Sequence, residues 1–194
     1  FNTLVSLSIS PDYAHDHTLY ALGATETYKT DNGGTVFTKS GGWFATHQVT
    51  HLVFSPAYAT DHTLFVSVRN DNVFRSTNGG GQFTPIGLGD VSALAVSPNF
   101  AADQIVAAIT SVDGRLHWST TRGDTWTSGN LSIGVGGEHS LLFSPSFTID
   151  HLLLAASSND PGAYRSSNGG STWMPVGWYD PYQAYKGGFV GGAV

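Results

Sequence analysis

The chain repeats itself four times. A Ser-Pro pair recurs at Ser10, Ser55, Ser97 and Ser144, in steps of 45, 42 and 47 residues. An aromatic residue closes each copy at Phe37, Phe83, Trp126 and Trp173, in steps of 46, 43 and 47. A period of this size means that each copy is one supersecondary unit that cannot bury its apolar face alone, so the stacking of neighbours makes the core. All 194 residues are therefore expected to form one domain of stacked units.

Within a copy the apolar residues alternate. Leu7 and Ile9, Leu52 and Phe54, Leu94 and Val96, and Leu141 and Phe143 precede the four Ser-Pro pairs. A period of two reads as a strand with one face in a core. Pro11, Pro56, Pro98 and Pro145 then end it, because proline cannot donate to a sheet ladder. Second strands are expected over residues 18–22, 63–68, 105–109 and 152–156, and third strands around 27–29, 73–75, 116–118 and 163–165. A fourth is expected to begin at each closing aromatic. Four short strands in about 45 residues are the content of one propeller blade. The expected fold is thus an all-β propeller of four antiparallel four-stranded blades, over residues 4–47, 48–90, 91–136 and 137–180. Residues 181–194 are a tail or the start of a further blade strand. The ring is either a complete one of four, part of a larger propeller, or closed by self-association, since unpaired edges invite another chain.

The turn before each closing aromatic is the most specific element. Its frame is Ser/Thr-x-Asn-x-Gly-x-x-aromatic, carried by Thr30, Asn32, Gly34 and Phe37, by Ser76, Asn78, Gly80 and Phe83, by Ser119, Thr121, Gly123 and Trp126, and by Ser166, Asn168, Gly170 and Trp173. Asn can hydrogen-bond amides two residues on, and Gly takes the positive φ of a tight turn. This frame resembles the Asp-box, or BNR, repeat of the sialidase-like, sortilin-like and photosystem-assembly-factor-like β-propellers. The usual Asp is replaced by Asn32, Asn78, Thr121 and Asn168, and Thr121 keeps the capping only weakly. The resemblance implies that the box is a folding element remote from the binding surface.

Composition narrows the function. A net charge of −6 with eight Lys plus Arg leaves no footprint for nucleic acid. No run reaches the roughly 18 apolar residues of a membrane span. Cysteine is absent, which removes disulfides and thiolate metal sites. The chain begins at Phe1 without Met, as a processed or excised product would. By resemblance the expected function is a non-catalytic, secreted or cell-surface recognition and scaffold module with a protein partner or a second copy, and without a cofactor. The alternative is a carbohydrate-active propeller, either a glycan binder or part of a glycoside hydrolase.

Candidate sites follow from what repeats and what does not. His15, Asp16 and His17 have the residue types of a metal site, but Asp recurs at Asp61, Asp103 and Asp150, and His17 recurs at His62 and His151. Recurrence in every copy favours a loop-holding role, and no metal is expected. A sialidase needs an arginine cluster on the substrate carboxylate, and the Arg-Ile/Leu-Pro motif of that family is missing. Glu26 and Glu138 are the two glutamates and the candidates for a carboxylate-pair hydrolase. Most of the non-repeated aspartates, Asp90 among them, sit beside turn residues. The aromatics outside the repeat frame, Trp43, Phe44, Trp178, Tyr179, Tyr182 and Tyr185, are the binding candidates, suited to sugar stacking or a protein hot spot. Plugging the gaps between blades is the equal alternative for them.

Overall fold

A computed structural model describes residues 3–158 and 162–177. The chain is all-β, and four antiparallel four-stranded sheets are arranged as the blades of a β-propeller. The first blade comprises β1 (Leu4–Ile9), β2 (Leu19–Gly23), β3 (Thr27–Thr30) and β4 (Thr38–Lys39). The second comprises β5 (Val49–Phe54), β6 (Leu64–Val68), β7 (Val73–Ser76) and β8 (Thr84–Pro85). The third comprises β9 (Val91–Val96), β10 (Val106–Thr110), β11 (Arg115–Ser119) and β12 (Thr127–Ser132). The fourth comprises β13 (His139–Phe143), β14 (Leu153–Ser157), β15 (Gly162–Ser166) and β16 (Met174–Val176). In every blade the strands pair in chain order, so each connection within a blade is local. Successive first strands pack side by side, β1 on β5, β5 on β9 and β9 on β13, which places them innermost.

Two latches in each blade explain the recurring residues. After the Ser-Pro pair the chain makes a one-turn helix that the sequence pattern did not announce: α1 (Tyr13–Asp16), α2 (Tyr58–Asp61), α3 (Phe100–Asp103) and α4 (Phe147–Asp150). Its Asp closes the loop. Asp16 accepts from Ser10 Oγ at 2.6 Å and from the Thr18 amide at 2.8 Å, and Asp61, Asp103 and Asp150 accept from Ser55, Ser97 and Ser144 at the same 2.6 Å. The next residue, His17, His62, Gln104 or His151, is left-handed with φ of 48–57° and ends the helix.

The second latch is the Ser/Thr-x-Asn-x-Gly turn. Its first hydroxyl is buried and accepts from the glycine amide four residues on, at 3.3 Å for Thr30, 2.9 Å for Ser76 and Ser166, and 2.8 Å for Ser119. The Asn carboxamide also reaches four residues on, rather than two: Asn78 Oδ1 accepts from the Gln82 amide at 2.9 Å. Thr121 makes the equivalent bond, accepting from the Thr125 amide at 2.9 Å, so the third turn is held as the others are. The latches join, because the Gly79 amide donates to the His62 carbonyl at 2.9 Å and the other blades repeat this bond. The fourth strand of each blade starts one residue after the closing aromatic, whose ring serves another purpose.

That purpose is the seam between blades. The first seam packs Tyr20 and Leu22 against Leu52, Phe54, Leu64 and Phe83. The second packs Phe65, Val73 and Ile86 against Leu94, Phe100 and Val106. The third packs Ala107, Ile109 and Leu116 against Leu141, Phe147 and Leu153. Each blade thus offers a front, facing its predecessor, and a back, facing its successor. The closing aromatic belongs to the front: Trp126 Nε1 donates to the Ile86 carbonyl of the blade before it at 2.8 Å. Burial of each large apolar side chain contributes about 1.5–3 kcal/mol, so these seams, rather than any single sheet, hold the fold.

Candidate functional site

The latches occupy the end of each blade where the first strand stops and the second starts. At the opposite end, where the first strands start and the second strands stop, a cavity of about 480 Å³ opens where all four blades converge. Each blade has the same pair of backbone positions at this end, identified by one hydrogen bond: Ala24 N to Thr3 O, Arg69 N to Gln48 O, Ser111 N to Asp90 O, and Ser158 N to Glu138 O, at 2.9–3.1 Å, and Ala24, Arg69, Asp90, Ser111 and Glu138 of these line the cavity. The backbone is repeated but the side chains are not. Arg69 enters from the second blade, Asp90 from the third and Glu138 from the fourth, with His51 and His139 beside them on the innermost strands. Ser6, Thr50, Ser92 and Ser140 complete a polar lining on the same strands.

The two histidines differ. His139 is buried and fixed at both ring nitrogens, with Nδ1 at 2.5 Å from Ser92 Oγ of the third blade and Nε2 at 2.7 Å from the Gly134 carbonyl. It ties the third and fourth blades together at the cavity wall. His51 places Nδ1 at 2.9 Å from Ser67 Oγ. Burial pushes the His51 imidazole below its ordinary value of 6.5, while the Glu138 and Asp90 carboxylates pull it back only in part. Arg69 is exposed and makes no salt bridge among the described residues. The cavity therefore presents one cation, two carboxylates and several hydroxyls to a ligand.

The His51 shift has a pH consequence. The folded protein resists protonating His51, so the unfolded chain takes that proton first as pH falls. The stability contributed by neutral His51 is complete above pH 6.5 and declines as the pH drops below it. The expected results are an NMR titration midpoint for His51 below 6.5, and a denaturation midpoint that falls as the pH drops below 6.5, less steeply in His51→Gln. A midpoint at or above 6.5 would refute the burial argument.

The residues singled out from sequence are scattered. Glu138 lines the cavity, while Glu26 sits in the first blade and accepts from Tyr28 Oη at 2.6 Å and pairs with Lys39 at 2.5 Å. The structure does not bring the two glutamates together in this cavity. His15 contacts Asp12 at 2.6 Å, Asp16 is engaged in the helix latch, and His17 packs edge-on to Tyr13 at 5.8 Å. No group of three metal-ligating side chains gathers among the described residues. Phe44 is buried in the first seam, and Trp43 stacks on His47 at 3.9 Å and on Phe83 at 4.2 Å beside it. Trp178, Tyr179, Tyr182 and Tyr185 lie outside the described residues. His51, Arg69 and His139 escape a motif search because no motif holds them. Aligning the four copies finds them, as positions on the first strands and at the end of the second strand where chemistry changes from blade to blade.

No protein-family model and no curated protein matches the chain. Solved structures do. An auxiliary nutrient-binding protein from Bacteroides thetaiotaomicron superposes with a TM-score of 0.68 at 17% identity, over 90% of this chain and 42% of its own. YCF48 bound to D1 peptide superposes with a TM-score of 0.62 at 18% identity, over 90% of this chain and 55% of its own. The GH74 enzyme of Niastella koreensis gives 0.66 at 18% identity, over 89% and 30%. The likeness is one of fold, and the chain spans about half or less of each of these proteins. Among the described residues no helix is long and apolar enough to cross a membrane.

Proposed function

We propose that the chain is a non-catalytic recognition and scaffold module of the Asp-box propeller class, acting at the cell surface or outside the cell. It takes a polar ligand, a peptide segment of a partner protein, into the cavity where its blades converge. The observation that carries this is the convergence of Arg69, Asp90 and Glu138 from three blades on one cavity, Asp90 and Glu138 at one repeated backbone position and Arg69 at the position that is hydrogen-bonded to it in each blade. One cation and two carboxylates among serine and threonine hydroxyls match the alternating donors and acceptors of a peptide, and complementary charge fixes its register. Nutrient binding in one structural neighbour and peptide binding in another fit a fold that presents ligands in this manner.

A second reading is glycan binding, favoured by two carboxylates in one cavity, since acidic side chains accept from sugar hydroxyls. Peptide and glycan arrays probed with the wild type and with Arg69→Ala separate the two. The peptide reading expects array binding that falls about tenfold in Arg69→Ala, a loss of roughly 1.4 kcal/mol. Glycan-only binding that is lost in Glu138→Ala would replace it with the second reading. Hydrolysis of aryl-glycosides that is lost in Glu138→Gln or Glu26→Gln would overturn the non-catalytic assignment.

A further inference from the structure

Among the described residues the front of the first blade has no blade before it. Leu7 is 59% exposed, whereas its equivalents Leu52, Leu94 and Leu141 are 5–7% exposed. Its closing aromatic Phe37 is exposed too, where Phe83 is buried. Leu7, Leu19, Ala21, Tyr28 and Phe37 line an apolar groove of about 440 Å³ along this front. The turn glycines show what is missing. A Cβ at Gly80 would meet Tyr20 of the preceding blade at 3.3 Å, at Gly123 it would meet Ile86 at 2.4 Å, and at Gly170 Trp118 at 3.8 Å. At Gly34 it would meet only Leu19 and Phe37 of its own blade.

The fourth blade has the opposite vacancy. On its back Leu154 is 40% exposed, where the equivalent Tyr20, Phe65 and Ala107 are 0–3% exposed. Leu142 pairs with it across the β13–β14 ladder and is 61% exposed. These two surfaces are the halves of one seam of the kind already made three times within the chain.

We propose that a second copy of this chain covers both faces, so that two chains close into one eight-bladed ring. The front of each first blade seats on the back of the other chain's fourth blade. A two-fold axis makes both seams at once and leaves no apolar face over, which is the condition for a closed assembly rather than a fibre. The same four blades superpose on 42% and 55% of two longer chains. Closure brings a second His51, Arg69, Asp90 and Glu138 to the same central channel. The assembly stands or falls separately from the ligand reading, since it rests on the outer faces alone.

The test is the mass in solution at tens of micromolar by light scattering, with Leu7→Glu and Leu142→Glu as variants at exposed positions. The wild type is expected at twice the 20.5 kDa chain mass. Each variant alone is expected at 20.5 kDa, with unchanged circular dichroism. Mixing the two variants restores the two-chain species, because one of its seams is then wild type on both sides. A wild type at 20.5 kDa overturns the proposal, as does any assembly larger than two chains. A mixture that stays single, or a Leu142→Glu chain that still pairs, points to another contact and overturns it equally. Slow thiol labelling of Leu7→Cys on a lone chain assigns the groove to residues 178–194 and has the same force.

Discussion

Replacing Gly114 with alanine is expected to destabilise the protein by about 4 kcal/mol, among the largest costs of any single substitution here. Gly114 turns the β10–β11 hairpin at φ +63°, and its carbonyl accepts from the Ile133 amide at 2.9 Å. An added Cβ would lie 1.7 Å from the Ile133 carbonyl oxygen and 2.9 Å from its carbon. Both are backbone atoms, so no rotamer relieves the clash and the segment after β12 must move. Ile133 is buried in the third seam, and the next carbonyl, that of Gly134, holds His139 at the cavity. The expected result is a lowered urea midpoint together with weakened ligand binding. Gly87 supplies the control: its φ is +74° but nothing lies within 4 Å of an added Cβ. Gly87→Ala should cost only the left-handed backbone penalty, about 1–2 kcal/mol. Equal costs for the two would show that crowding against Ile133 is not the cause.

Phe65→Ala is expected to cost about 3–5 kcal/mol, as truncation of a fully buried aromatic does. Phe65 has no exposed surface and meets Phe100 edge-on at 5.5 Å and 87° across the second seam. Its removal leaves a void lined by residues of two blades, neither of which can close on it alone. For a chain of this size the corresponding fall in melting temperature is about 6–20 °C. Leu154 occupies the same repeat position in the fourth blade but lies on the open back. Leu154→Ala should cost less than about 1 kcal/mol when measured dilute enough that chains are single. Similar losses at the two sites would mean that the blades do not depend on their seams.

Much of this architecture can be read from residues alone. Alternation before each Ser-Pro pair marks β1, β5, β9 and β13, because a strand with one buried face must repeat every second residue. Recurrence of Asp16, Asp61, Asp103 and Asp150 marks a loop-holding group, and each is found bonded to its own serine hydroxyl. The one-turn helices were not legible, because four residues are too few to show a helical period. The weak reading of Thr121 fell short for a related reason: a propensity scale ranks it below Asn, whereas the turn backbone brings the Thr125 amide within reach of its hydroxyl.

The candidate site was far less legible. In the sequence Glu138 is marked only as one of two glutamates and Asp90 only as one aspartate among several beside turn residues, and Arg69 belongs to no motif. Only the convergence of the inner strands puts them on one cavity with His51. The aromatic candidates Trp43 and Phe44 are placed in the first seam by the same convergence.

The sequence by itself determined the unit: four copies, four strands in each, a loop-holding Asp and a Ser/Thr-x-Asn-x-Gly turn apiece, and an apolar face on the first strand. These follow from contacts between residues close along the chain, which leave a period in the sequence. Tertiary structure alone decided which residues meet across blades, where the cavity opens and which faces remain uncovered. Those depend on the angle between neighbouring blades, set by side-chain volume in the seams, and no local pattern encodes an angle between units that touch only after folding.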